Sequence, residues 1–140
     1  MTNEAITFIR PPTLTDQAPY AYAATASAKQ AIYTAGACPL DADGQTVAVG
    51  DYVGQARQVM ANLVVTLREA GAELTDVVKS TVYVASSQRD DLNAVWDVVH
   101  STFGHHDAPS TLLGVSVLGW PNQLVEVEAI AVVAGPASTY

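Results

Sequence analysis

DYVGQARQVMANLVVTLREAGAELTDVVKSTVYVA (residues 51–85) changes its hydrophobic period once. Over 51–70 the apolar residues are Val53, Ala56, Val59, Met60, Leu63, Val64, Leu67 and Ala70. Spacing of this kind draws one stripe along a helix. Asp51 is placed to cap its first turn, and Gly71 to stop it. Residues 77–85, VVKSTVYVA, are β-branched and read as a strand. A helix followed so closely by a strand points to a fold that mixes the two.

Working outward, a second helix fits 89–103, where Leu92, Val95, Trp96, Val99 and Phe103 share a face and Gly104 follows. Asp90 or Asp91 suits its N-terminal dipole. Upstream, AITFIR (5–10), YAYAATA (20–26) and AIYTAG (31–36) are candidate strands. Ser27-Ala28-Lys29-Gln30 is the expected turn between the last two, and Pro39 to Gly50 a loop turning at Asp43-Gly44. Downstream, TLLGVSVLGWPNQLVEVEAIAVV (111–133) reads as two strands joined at Gly119-Trp120-Pro121-Asn122. The alternation of strand, helix, strand, helix, strand predicts crossovers within one mixed six-stranded sheet, both helices on one face. The other face stays partly apolar, and another subunit would cover it most naturally.

The 140 residues fit a single domain, 1–140, with a real core. About half are apolar and 14% are charged, which is globular composition. The net charge of −8 argues against a nucleic-acid binder, and the six basic residues are scattered. Cys38 is the only cysteine, so no intrachain disulfide forms. The first residues, MTNEAITFIRPP, lack the pattern of a signal peptide, and no apolar run is long enough to span a membrane. A cytoplasmic protein is the expectation.

Strand alternation sets Leu124, Glu126, Glu128 and Ile130 on one face and Val125, Val127, Ala129 and Ala131 on the other. The second set suits the helices. An acid in an apolar strand is costly unless compensated. Glu126 and Glu128 are therefore either paired or solvated at an edge, or one of them serves as a general base in a cleft. His105-His106-Asp107 lacks zinc-site spacing, and reads as a helix exit with His100 on the last turn. No neighbour in sequence would activate Cys38 as a nucleophile, so a small buried thiol is expected. Tyr20 alone is a packing residue with a polar tip. Neither a glycine-rich phosphate loop nor a G-x-S-x-G elbow occurs.

APY (18–20), YTAGACPLD (33–41), QARQVMANLVVTLREAGAELTDVVKSTVYV (55–84) and LVEVEAIAVV (124–133) together resemble the reactive intermediate deaminase family, RidA or YjgF. The likeness covers nearly the whole chain. It implies an α+β fold like trimeric chorismate mutase, and a homotrimer with ligand clefts at subunit interfaces. Members of the best-known type hydrolyse enamines and imines to keto acids and ammonia, with no metal or organic cofactor. Carried over by motif, Glu126 takes the place of a water-positioning glutamate, Tyr20 that of a tyrosine, and Gly36 a backbone position in the cleft. Cys38, in the same segment, would line the substrate cleft with Gly36, Ala35, Trp96 and Leu113.

The departure lies where the family has P-A-R-S. This chain has Pro109-Ser110-Thr111-Leu112, with Thr111 in place of a substrate-binding arginine. Ala35 stands where a serine is common, and Trp96 where an asparagine is common. Leu112, Leu113 and Trp96 would make the cleft more apolar. A bidentate arginine gives energy and orientation that one hydroxyl does not. The resemblance thus implies a divergent enzyme acting on an enamine, imine or related activated small molecule, by hydrolysis or tautomerisation. Glu126 would be the base or water-positioning group, Tyr20 and Thr111 would be hydrogen-bonding partners in the cleft, and backbone amides near Gly36 would polarise the substrate. The alternative is a non-catalytic trimeric binder of the same fold. Neither needs nucleic acid or a membrane.

Overall fold

The computed structural model describes residues 2–27 and 30–134. The elements are β1 (Ile6–Ile9), β2 (Ala23–Ala26), β3 (Gln30–Tyr33), α1 (Tyr52–Glu69), β4 (Val77–Val84), α2 (Arg89–Phe103), β5 (Ser110–Gly114) and β6 (Val125–Val133). The Asp51 carboxylate accepts from Gly54 N at 3.0 Å, which caps α1. Gly71, at φ +90°, takes the left-handed position just past its end. The stripe buries Ala56, Val59, Met60, Leu63 and Leu67, while Ala70 at its end is exposed. At the start of α2 the Ser86 hydroxyl accepts from Gln88 N and donates to Asp91.

Six strands are present in the expected order, but their hydrogen bonds are shared between two sheets. β1 and β2 form an antiparallel ribbon, and β3-β6-β4-β5 form a four-stranded mixed sheet. The Asn3 side chain ties the ribbon's start to the larger sheet, donating to Asp76 and to the Val132 carbonyl. Ala28 and Lys29, in the turn expected between β2 and β3, lie outside the described residues.

The strand expected from Thr111 stops at Gly114. The Ser86 carbonyl lies 2.6 Å from where a Cβ on Gly114 would sit, so the chain passes there without a side chain. β5 and β6 are not partners across the Gly119–Asn122 turn, because β4 lies between them, parallel to β5 and antiparallel to β6. α2 is the crossover that the parallel β4–β5 pair requires.

The core fills the space between both helices and one face of this sheet. Val82, Val84, Val125, Val127, Ala129 and Ala131 meet Val59, Met60, Leu63, Leu67, Val95 and Val99. Each fully buried aliphatic side chain of valine size or larger contributes roughly 1.5–3 kcal/mol. Alternation, interrupted in β4 by a bulge between Val77 and Lys79, leaves Lys79, Thr81, Tyr83, Thr111, Leu113, Glu126, Glu128 and Ile130 on the opposite face, all at least partly accessible. Tyr33, paired with Ile130, is 75% exposed there.

Candidate functional site

Glu126 sits on a strand hydrogen-bonded on both sides. β4 places Tyr83 opposite it, and beyond β3 the chain runs on beside β6 through an Ala37–Val127 bridge. That bridge brings Gly36 under the Glu126 side chain. A Cβ on Gly36 would lie 2.5 Å from Glu126 Cδ and 2.6 Å from Oε2, so only glycine leaves the carboxylate its place. Cys38 Sγ lies 3.1 Å from Glu126 Oε1, and Gln123 Nε2 donates to the same oxygen at 3.2 Å. The N–H groups of Gly36 and Cys38 carry no intrachain partner among the described residues.

Burial and then the adjacent Glu126 carboxylate push the Cys38 thiol up to about 11, against an opposite pull from Gln123 and Trp120. A base does stand beside this thiol, contrary to the expectation from neighbouring sequence. It comes from the far end of the chain, and burial together with this carboxylate keeps the thiol protonated rather than activating it.

Two amides of α1 fasten the loops that flank the carboxylate. Buried Gln55 accepts from Leu124 N at 2.7 Å and donates to the Asn122 carbonyl at 2.9 Å. Asn62 donates to the carbonyls of Cys38 and Leu40. Gln55, Asn62 and Gln123 escape a reading based on apolar stripes. Their signal was polarity in the wrong phase: Gln55 is in step with Val59, and Gln123 with Val125 and Val127.

The other candidates fall into separate groups within one chain. Glu128 accepts from the Tyr83 hydroxyl at 2.7 Å, so its partner is neutral rather than basic. That bond, with burial and the nearby carboxylates, raises the Tyr83 phenol above its ordinary range. Thr111 Oγ1 accepts from Lys79 Nζ at 2.6 Å, and burial lowers the lysine's pKa. Leu113 shares a cross-strand row with Tyr83 and Glu126. Ala35 is exposed beside Gly36. Tyr20 meets Trp96 edge-on at 6.1 Å, and Trp96 stacks on His100 at 5.7 Å. The ring contacts of Tyr20 and Trp96 and the hydrogen bond of Thr111 do not reach Glu126. Tyr20 lines a concavity of about 590 Å³ with Arg10, Tyr22 and Asp107. Asp107 pairs with Arg10, His100 Nε2 lies 3.4 Å from Asp107 Oδ1, and His106 lies 2.7 Å from the Val77 carbonyl. Among the described residues no group of three or more metal-ligating side chains is gathered, and no helix is long and apolar enough to cross a membrane.

The family model described as Endoribonuclease L-PSP matches residues 13–133. The chain belongs to this family, the RidA/YjgF family. A 2-iminobutanoate/2-iminopropanoate deaminase of Capra hircus is 38% identical to this RidA-family chain, over 77% of it and 76% of the relative. A RutC family protein of Pyrococcus abyssi is 36% identical, over 71% of the chain and 76% of the relative. Among solved structures, the Rid-family protein YyfB of Yersinia pestis, of unknown function, superposes with a TM-score of 0.86. It is 30% identical, with 92% of this chain and 99% of that one covered. The YjgF gene product of E. coli gives 0.64 at 29% identity, over 83% and 89% of the two chains.

Proposed function

We propose that this RidA-family chain is a divergent enzyme that hydrolyses or tautomerises a reactive enamine or imine. The observation that carries the reading is the Glu126 carboxylate, held over Gly36 with both of its hydrogen bonds on Oε1. Water bound to Oε2 adds to the C=N carbon of the protonated imine as Glu126 takes one of its protons, which gives a neutral carbinolamine. Glu126 returns that proton to nitrogen, the C–N bond breaks to release ammonia, and the hydroxyl proton passes to solvent as the C=O product forms. The N–H groups of Gly36 and Cys38, without an intrachain partner among the described residues, would polarise a substrate near the carboxylate. The name of the goat relative, a deaminase of 2-iminobutanoate and 2-iminopropanoate, supports an imine as the substrate.

The clefts are proposed to form between subunits of a homotrimer. Tyr20, Trp96, Leu113 and Thr111 would reach a shared cleft from more than one copy. The partly apolar open face, with Tyr33 and Leu113 exposed, supports a covering subunit. At Thr111 the charge available is the Lys79 ammonium, a point charge without the planar fork of arginine. The enzyme should therefore discriminate poorly between imines with and without an α-carboxylate.

Ammonia release from both kinds of imine, generated in situ, tests this. Turnover of both, with less than about a hundredfold preference for the carboxylate form, is the expected result. Ligand-dependent melting with no product from any imine would instead make the chain a binder.

A further inference from the structure

We infer that Cys38 and Gln123 are positioning residues that pin Oε1 of Glu126 and reserve Oε2 as the oxygen that works on water. The inference rests on the role proposed above for Glu126, and it names the groups that aim it.

The Cys38–Glu126–Gln123 arrangement admits two uses. A thiol within hydrogen-bond reach of a carboxylate, itself held by a third group, has the layout of an activated nucleophile. The magnitude decides against that use. With the thiol held up at about 11, roughly one in ten thousand would be ionised at neutral pH. The thiol is therefore a hydrogen-bond donor. Its one proton has two acceptors in reach, Glu126 Oε1 at 3.1 Å and the Gly36 carbonyl at 3.4 Å. The charged and nearer oxygen takes it.

Gln123 supplies the second donor, and its orientation is fixed by its surroundings. Its side chain is 5% exposed. Its Oε1 accepts from Trp120 N at 3.0 Å, so the NH₂ end must face the other way, toward the Val125 carbonyl at 3.1 Å and Glu126 at 3.2 Å. Cys38 is fixed in turn by Asn62 of α1, which donates to its carbonyl at 2.8 Å. Two anchored donors on Oε1 hold the carboxylate plane, and Oε2 lies over Gly36 without a donor among the described residues.

Two measurements test the pin, and one of them needs no turnover. Cys38 is the only thiol in the chain, so its S–H stretch is a single infrared band. The band should lie at the low frequency of a thiol bonded to a carboxylate, and should move up in Glu126→Gln. A band that does not move overturns the contact. In the second measurement the probe is 2-iminobutanoate generated in situ. Cys38→Ala should lower kcat on the order of 10- to 100-fold, with KM nearly unchanged, because the carboxylate is misaimed rather than lost. Cys38→Ser keeps a donor and should recover most of the rate, which a loss of packing alone would not explain. Gln123→Leu should act like Cys38→Ala, and if it fails to fold the Cys38 pair still decides. Wild-type kcat in Cys38→Ala overturns the positioning role. If the wild type turns over no imine, the proposed function fails and the catalytic use of the pin fails with it. The S–H band then still decides whether the contact exists.

Discussion

At Gly36 the absent side chain is replaced by part of another residue. The space that a Cβ would fill belongs to the Glu126 carboxylate, and what it would displace is the free end of a flexible side chain. Gly36→Ala should therefore cost little stability, within about 1 kcal/mol by thermal unfolding, while lowering turnover on the order of a hundredfold. A large loss of stability with normal turnover would show that Glu126 does not need this place. Cys38 makes a second prediction. Burial and the Glu126 carboxylate raise its folded pKa from the ordinary thiol value of 9.0 to about 11. Below the lower value both states keep the proton and stability does not depend on this group. Between the two values the unfolded chain ionises first, so stability falls as pH rises. Iodoacetamide labelling should speed up across that window without levelling off below its top. In Glu126→Gln the labelling curve should shift to lower pH, because a negative neighbour is gone. Glu126 and Gly36 were legible in the sequence by motif, and the face of Glu126 by alternation. Cys38 was expected in the cleft, but its hydrogen bond to Glu126 was not. Cys38 and Glu126 are 88 residues apart, and only strand pairing makes them neighbours.

At the level of elements, local chemistry specified the helices, and long-range pairing specified the rest. Asp51, the stripe from Ala56 to Leu67, and Gly71 each act within a turn or two, so α1 could be read nearly to its ends. Asp51→Ala should cost about 1 kcal/mol of stability through the lost cap, measurable by urea unfolding. The strand order was less legible. Nothing local says that β4 separates β5 from β6, because periodicity gives the face of a strand and not its neighbour. Strand ends were also set from outside, as at Gly114, where the Ser86 backbone crowds the chain. Gln55 shows an element acting at a distance. Its buried amide holds two groups of the loop before β6. Gln55→Leu leaves both unpartnered, and should cost on the order of 2–4 kcal/mol. It should also reduce turnover at Glu126 under conditions where the variant remains folded.

On the scale of the whole molecule, one chain supplies the Glu126 carboxylate and its supports but does not bring Tyr20, Trp96 or Thr111 to them. The uncovered sheet face was foreseeable from a sequence with more apolar strand residues than two helices can bury. Its occupant was implied only by family resemblance. The account expects a mass of three chains in sedimentation. Leu113→Asp, which puts a charge on that face, should shift the population toward monomer and lower turnover together. The proposed trimer has to cover this face while leaving the Glu126 carboxylate open to water. The most direct test is the rate of ammonia release from 2-iminobutanoate by Glu126→Gln that keeps wild-type mass and melting. The account predicts a fall in kcat of about 10²- to 10⁴-fold, the usual contribution of a general base. An unchanged kcat in a correctly assembled Glu126→Gln would contradict it.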